Sequence, residues 1–306
     1  MKFNLIGKRY LYFLISLLII IPGLIGFGMW GLPLSIDFNS GSLLEIKFQS
    51  GNLPQPADVI AIYDQAGLKD SRVQTTADNT IVVRSRDMTN DTKNQIISAM
   101  EKQFNDKTTI LRFDTVGPAI GKEVTTNAAI AVGLAALGIL LYIWFAFRNI
   151  PNAYRYGIAA IIAMMHDVLV VIGVQTYLSH FFGWEFDTLF LTALLTVIGF
   201  SVHDTIVVFD RVRENSSVYR RLPFEQIVNH SIVQTLDRSI NTTLTVLLTL
   251  FTLALFGGVT IRHFVIILLV GIFSGAYSSI FNAAPILVVW ENREWTTWFN
   301  RNKTAA

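Results

Sequence analysis

One carboxylate is notable in this sequence because it lies inside an apolar run that is long enough to cross a membrane. The run extends from about residue 188 to 209 and contains Asp204 near its charged end. An ionised side chain inside a bilayer costs roughly a few to more than ten kcal/mol, so it usually faces a bundle interior, binds a proton or finds a cation. Asp204 therefore indicates a functional site that titrates a proton. A structural role, as a hydrogen-bonding group for a neighbouring helix, is the alternative.

Arg238 is the candidate cation for Asp204, since it stands at the start of a later apolar run. Four threonines follow it, and at 3.6 residues per turn they fall with Arg238 within roughly 40° of one helix face. Such a polar stripe predicts a hydrated path for protons. Alternatively, Arg238 extends to the membrane surface and each threonine bonds a preceding carbonyl of its own helix. The threonines are Thr242, Thr245, Thr249 and Thr252.

A second ionisable pair, His166 and Asp167, lies near the midpoint of the third apolar run, the most costly depth for a charge. Asp167 is predicted either to relay protons or to accept a hydrogen bond from a neighbouring helix. Adjacent residues are separated by about 100° on a helix, so neither His166 and Asp167 nor His203 and Asp204 need share a partner. The two pairs also raise the question of a zinc site. Neither pair has i,i+4 ligand spacing, so we predict no metal.

The composition excludes several classes of protein. The chain has 306 residues, of which 52% are hydrophobic, a mean hydropathy of +0.48 and no cysteine. These values are typical of an integral membrane protein without disulfides or thiolate metal sites. The sequence contains no Walker loop, G-x-G-x-x-G or H-E-x-x-H motif, and Ser201 has no base placed by spacing. We therefore predict a protein that is not an enzyme, needs no cofactor and has no nucleic-acid partner.

The distribution of apolar runs predicts an α-helical membrane protein with six transmembrane helices. A charged α+β domain between helices 1 and 2 is predicted to be extracytoplasmic, with the ferredoxin-like order βαββαβ. Its strands are expected at 42–49, 73–76, 80–85 and 108–114, and its helices at 56–66 and 91–104. The transmembrane helices are expected at 10–30, 127–147, 157–179, 187–209, 240–257 and 264–289.

Five segments follow from this pattern. They are the first transmembrane helix in 1–33, the extracytoplasmic domain at 34–124, a five-helix domain at 125–290, a cytoplasmic amphipathic loop at 210–239 and a cytoplasmic tail at 291–306. Lys and Arg are concentrated in the segments assigned inside, whereas the two short outer loops carry only Arg262, so both termini are predicted to be cytoplasmic. The loop contains a helical pattern behind Pro223 that is predicted to lie along the membrane surface.

Small residues recur every fourth position in the last predicted span, at Gly271, Gly275, Ser279 and Ala283. Such a ridge lets another helix approach closely. We therefore predict close helix packing along it.

Several motifs together carry a resemblance to a known family, and they are spread over nearly the whole chain. The most specific is the stretch Asp-Thr-Ile-Val-Val-Phe-Asp-Arg-Val-Arg-Glu-Asn at 204–215. The sequence resembles the SecF family, the smaller membrane subunits of SecD-SecF protein-export complexes within the resistance-nodulation-division superfamily. The remaining matching segments are 35–38 (Ser-Ile-Asp-Phe), 116–118 (Val-Gly-Pro), His166-Asp167, 199–203 and 238–245.

The resemblance implies a proton-driven protein-export subunit of the bacterial plasma (inner) membrane. It would act with SecD after the SecYEG channel and SecA, with YajC as a further partner, on unfolded exported polypeptides. Asp204 and Arg238 match the positions that the family uses for proton coupling, and SecD would supply a partner acidic residue. Two other classes remain open: a passive scaffold that stabilises SecD or the translocon, and a proton-coupled efflux component.

The chain departs from the family pattern at two places. His203 stands where Asn commonly precedes the aspartate, and this difference would adjust the pKa of Asp204, extend its relay or have no effect. Asn39-Ser40-Gly41 replaces the usual Thr-Gly-Gly, so the backbone turn at the start of the outer domain is expected to differ.

Overall fold

A computed structural model of the protein describes residues 4–76, 80–148 and 152–298. The chain divides into two compact units, one formed by Met1–Pro33 with Ala131–Ala306 and the other by Leu34–Ile130. Within the described residues, six helices are long and apolar enough to cross a membrane, as the sequence predicts. The predicted tail at 291–306 is described only as far as residue 298.

The elements of the second unit follow the first long helix. After α1 (Arg9–Trp30) the chain forms a short α2 (Ile36–Asn39), β1 (Gly41–Phe48), α3 (Pro56–Gln65), β2 (Arg72–Thr76), β3 (Thr80–Ser85), α4 (Asn90–Phe104) and β4 (Thr108–Val116). The strands pair antiparallel throughout in the order β2-β3-β1-β4. The predicted βαββαβ order is therefore confirmed, and the strand order is that of a ferredoxin-like sheet.

Alternation in β1 explains how this sheet forms its core. Leu44, Ile46 and Phe48 are fully or almost fully buried, whereas the intervening Glu45 and Lys47 are more exposed. Successive side chains of a strand point to opposite faces, so one face of the sheet packs on the helices. The helix side chains that complete this core are Val59, Ile62, Tyr63, Ile96 and Met100.

The turn before β1 adopts an unusual backbone conformation. Ser40 has φ 61° and ψ 164°, a region that essentially only glycine occupies without strain. Gly41 follows with φ 133°, and a Cβ there would lie 2.5 Å from the carbonyl oxygen of Ser85. The turn therefore requires glycine at position 41 and places a serine under strain at position 40.

Replacing Ser40 by glycine is expected to stabilise the domain. Relief of strain gains about 1–3 kcal/mol, while the extra freedom of glycine in the unfolded chain costs about 0.4–1 kcal/mol. We expect the free energy of unfolding to rise by about 1 kcal/mol, measured by denaturant titration of the full chain. Ser40→Ala, which keeps the Cβ, should bring no gain; an equal gain would show that the hydroxyl and not the backbone is responsible.

The second group of helices forms the bundle that positions the candidate site. It comprises α5 (Pro118–Phe147), α6 (Ala153–Phe182), α7 (Thr188–Val218) and α8 (Phe224–Phe256). The last span is α9 (Val259–Ser278), a π-helical turn (Ser279–Ala283) and α10 (Ala284–Glu291), and α11 (Trp295–Trp298) follows it. Among these, α7 packs against α6, α8 and α9, so it lies at the centre of the bundle.

Small residues allow the central helices to approach closely. A Cβ on Gly271 would lie 2.1 Å from a methyl group of Val197, and one on Gly275 would lie 3.2 Å from the Cα of Ser201. The ridge predicted in the last span therefore packs directly on α7, which confirms its expected role. A second close approach joins α1 to α6, where a Cβ on Gly23 would lie 2.8 Å from the Cα of Gly173.

Gly23→Ala is expected to destabilise the bundle by about 1–3 kcal/mol, because two helix backbones would have to separate to admit one methyl group. Gly28→Ala is a matched control on the same helix, since no atom lies within 4 Å of the position that its Cβ would take. The measurement is the unfolding of both variants in detergent. Equal stability of the two would contradict the close helix crossing.

Helices occupy most of the segment at 210–239, which the sequence predicts to be a cytoplasmic amphipathic loop. Helix α7 continues to Val218 and α8 begins at Phe224, so that only a short connection separates them. Val228 and Ile232 are fully buried in the same apolar cluster as Val208 and Val212. The apolar face that suggested a helix lying on the membrane surface thus packs on the extension of α7, and the segment forms the first turns of one long α8.

Polar contacts hold this first part of α8 in place. The side-chain oxygen of Asn229 accepts hydrogen bonds from the backbone N–H groups of Leu5 and Ile6. Arg9 forms ion pairs with Glu225 at 3.2 Å and with Glu294 at 2.7 Å. The start of α1, the start of α8 and the segment after α10 therefore form one anchored end of the bundle.

Candidate functional site: two buried carboxylates

Asp204 lies on α7 and is only 5% exposed. The nearest ring nitrogen is Nδ1 of His203, 3.6 Å from Oδ1, which is beyond ordinary hydrogen-bond distance. The buried Thr243 of α8 faces this carboxylate, although its hydroxyl does not form a hydrogen bond of ordinary geometry. Within the described part of the chain, no strong hydrogen bond holds the Asp204 side chain.

Arg238 lies on the exposed surface of α8, within electrostatic range of Asp204 but not in contact with it. No ion pair within 4.0 Å joins the two among the described residues. Arg238 lines a cavity of about 610 Å³ between α5, α7 and α8, whose wall also carries Asp210 and Arg213. These last two form an ion pair with each other at 2.5 Å. The predicted partners are thus brought near one another with a gap between them.

The threonine stripe has the local bonding that the second interpretation anticipated. Thr245 and Thr249 donate their hydroxyls to carbonyls four residues earlier, at 2.8 and 2.9 Å, and Thr242 and Thr252 do the same. All four are exposed. The stripe is therefore a polar face of α8 whose hydroxyls are bonded to their own helix.

Asp167 has the opposite surroundings to Asp204. It is fully buried, and three serine hydroxyls from two neighbouring helices donate to its carboxylate. Ser201 on α7 donates to Oδ2 at 2.5 Å, Ser278 on α9 donates to Oδ2 at 2.6 Å, and Ser274 on α9 donates to Oδ1 at 2.7 Å. We call Ser201, Ser274 and Ser278 the serine cage. It joins α6, α7 and α9 through one side chain.

His166 completes the surroundings of Asp167. Its Nδ1 lies 3.0 Å from Oδ1 of Asp167, so the two adjacent residues do share a contact despite their angular separation on the helix. The ring is 8% exposed, and its Nε2 is buried without a hydrogen-bond partner among the described residues. Within those residues, no three His, Asp or Glu side chains converge as metal ligands.

The two carboxylates are therefore suited to different chemistry. Asp167 accepts from three serine hydroxyls, contacts Nδ1 of His166 and has a fixed geometry, which is typical of an acceptor that holds helices together. Asp204 is buried without such donors, so proton uptake or a change in its neighbours would alter its energy strongly.

Sequence reasoning missed the serine cage and Thr243. Ser274 and Ser278 are four residues apart and beside the small-residue ridge, which is the one signal that could have identified them. At Ser201 the sequence raises only the question of a nucleophile. Thr243 lies outside the threonine stripe and has no distinguishing pattern.

Comparison with known proteins places the chain in a family. The family described as "Protein export membrane protein SecD/SecF, C-terminal" matches residues 96–293, more than half of the chain. The protein translocase subunit SecF of Anaerolinea thermophila is 58% identical over 304 residues, which cover 99% of each chain. The SecF subunit of Thermobaculum terrenum is 47% identical, with 99% of this chain and 98% of the relative covered.

A solved structure agrees in fold. The crystal structure of SecDF, a translocon-associated membrane protein from Thermus thermophilus, matches 95% of this chain with a TM-score of 0.80 and 33% sequence identity. The match covers 39% of that longer chain. The chain therefore belongs to the SecF family of protein translocase subunits, which are membrane components of protein export.

Proposed function

We propose that this chain uses the proton motive force, together with a SecD subunit, to promote the late translocation or release of exported polypeptides. Asp204 takes up and releases the proton, and Arg238 is the cation that opposes its charge. The observation that carries the proposal is the buried Asp204 carboxylate, which no strong hydrogen bond from a described residue holds in one state. Asp167, which the serine cage holds, lacks that freedom.

The free energy released by one transferred proton is sufficient to drive the proposed conformational change. One elementary charge that crosses about 150 mV releases about 3.5 kcal/mol, enough to shift a two-state equilibrium several hundredfold. The gap between Asp204 and Arg238 leaves room for the two groups to approach when the carboxylate is ionised. His203, whose side chain is 62% exposed beside Asp204, would extend the proton route to the surface of α7. Thr242, Thr245 and Thr249 would form the polar wall of that route on α8.

The proposed topology follows from charge. Lys and Arg are concentrated at the ends of the helices assigned to the inside, which supports cytoplasmic termini and an extracytoplasmic domain at residues 34–124. We assign the chain to the bacterial plasma membrane. The proposed partners are SecD, the SecYEG translocon with SecA, YajC and the unfolded exported polypeptide. The SecDF of Bacillus subtilis, which is 35% identical and of which this chain covers 39%, supports SecD as a partner.

A second candidate function is that of a passive scaffold for SecD or the translocon. It is favoured by the threonine hydroxyls, which bond to their own helix, and by the absence of an ion pair between Asp204 and Arg238 in the described residues. In that case the polar face of α8 would serve only for helix contact. An efflux role finds less support, since the relatives named above are protein-export subunits.

The experiment that tests the proposal measures export into membrane vesicles that carry the complex, with and without an imposed proton gradient. We expect export to accelerate with the gradient only when this chain is present, and a protonophore to abolish the acceleration. If vesicles that lack the chain respond equally to the gradient, this chain does not couple proton flux to export. Assembly of the complex is measured in parallel.

A further inference from the structure

The cavity of about 610 Å³ between α5, α7 and α8 has a wall with an apolar part and a charged part. On α7, Ile206 and Val207 come one turn before Asp210 and Arg211, so the two parts follow one another along the helix. The cavity is therefore amphipathic. The remaining lining residues are Tyr142, Ala146, Phe147, Arg213, Glu214, Gln234, Thr235 and Arg238.

The charged part of the wall carries a net positive charge. Three arginines and two carboxylates line it, and a guanidinium group stays protonated in proteins. Both carboxylates are already bonded within α7, since Arg213 pairs with Asp210 at 2.5 Å and Arg211 pairs with Glu214 at 2.6 Å. Arg238 is exposed and, among the described residues, forms no ion pair within 4.0 Å. The cavity therefore presents a cation that no ion pair neutralises.

The two parts of the wall determine which kind of molecule fits. A guanidinium group binds phosphate strongly, because two parallel N–H groups donate to two of its oxygens. The apolar part favours hydrocarbon over water, and Tyr142 on that part is exposed, so a chain can enter from the surrounding lipid. A free phosphate ion would leave the apolar part uncovered. The wall therefore matches an anionic head group that is joined to a hydrocarbon chain.

We propose that this cavity binds an anionic phospholipid, whose phosphate contacts Arg238 and whose hydrocarbon chain lies along Tyr142, Ile206 and Val207. Lys and Arg are concentrated at this end of the helices, which charge assigns to the inside. Basic pockets between transmembrane helices on that side are typical sites for anionic head groups. The volume falls within the range of about 300–1,000 Å³ that is usual for small-molecule sites. Binding does not depend on whether Asp204 carries protons.

The test compares two lipids that differ in the charge of the head group. Phosphatidylglycerol and phosphatidylcholine, each with the same photoactivatable diazirine in an acyl chain, are added to the full chain in phosphatidylcholine nanodiscs and in native membranes. We expect phosphatidylglycerol to label peptides of α5, α7 and α8 at about fivefold lower concentration, the effect of about one basic side chain near the membrane surface. Unlabelled phosphatidylglycerol should compete, whereas inorganic phosphate at equal ionic strength should not.

Variants assign the labelling to the cavity. Arg238→Gln removes the cation, so both lipids should label these peptides equally, whereas Arg221→Gln removes an exposed arginine outside the cavity and should retain the preference. Val207→Trp fills the apolar part and should reduce labelling by both lipids. Unfolding of each variant in detergent is measured in parallel.

Three results would overturn the proposal. They are equal labelling of wild type by both lipids, a preference that Arg238→Gln retains, and competition by inorganic phosphate as strong as that by the lipid. Labelling that occurs in nanodiscs but not in native membranes would also overturn it, since a partner chain would then cover the cavity.

Discussion

Asp204→Asn is expected to remove the gradient-dependent component of export completely while the complex assembles normally. The amide has nearly the shape of the carboxylate but binds no proton at physiological pH. No strong hydrogen bond to Asp204 from the described residues is broken by the change, so the bundle should remain folded. Export is measured in vesicles with and without an imposed gradient, and the residual rate should equal that of wild type treated with a protonophore.

Two further variants make this result specific. Arg238→Gln removes the opposing cation and should reduce the gradient-dependent rate without affecting assembly. His203→Asn, which introduces the residue common in the family, should retain most of that rate, because the exposed imidazole only extends the route. If Asp204→Asn retains full gradient dependence, Asp204 is a structural carboxylate and the scaffold function gains support.

The outer domain could be predicted well because its signals are local. Alternation of buried and exposed residues in β1 and β3, and short breaks between elements, determine the strands almost to the residue. Residues 77–79, between β2 and β3, lie outside the described residues. The six transmembrane helices can be predicted from apolar length alone, which the bilayer thickness dictates.

The ends of the helices could not be predicted in the same way. Apolar length defines only the part of a helix that lies in lipid, whereas α7 and α8 continue beyond it by packing on each other. Asn215 on α7 donates to Ser231 on α8 at 2.8 Å, a contact between residues that the sequence pattern does not pair. The periodicity in this segment indicates a helix correctly, but it does not identify α7 as a partner of the apolar face.

The candidate site could also be predicted only in part from the sequence. Sequence spacing gives the angle between residues on one helix but not which face meets a neighbour. Arg238 and the four threonines do share an exposed face, while the adjacent Thr243, about 100° away from Thr242, faces Asp204. The serine cage likewise requires three helices to meet at Asp167, and it becomes visible only once α7 and α9 are packed.

Asp167→Ala is expected to destabilise the bundle by about 2–4 kcal/mol. The change removes the common acceptor of the serine cage and the contact with His166, and each hydrogen bond inside a membrane contributes about 0.6 kcal/mol, up to about 1.7. The orphaned donors lie where α6, α7 and α9 meet. The measurement is unfolding in mixed detergent, with assembly of the complex as a second readout.

A matched pair of variants distinguishes this structural role from a relay. Ser278→Ala leaves Asp167 with two serine donors and should cost only about 0.6 kcal/mol. Asp167→Asn keeps one acceptor oxygen and lets the serine hydroxyls turn to accept from the amide, so it should cost about 1 kcal/mol and retain gradient-dependent export. If Asp167→Asn is instead stable and inactive, Asp167 carries protons, and the polar groups around it serve to adjust its proton affinity rather than to join the helices.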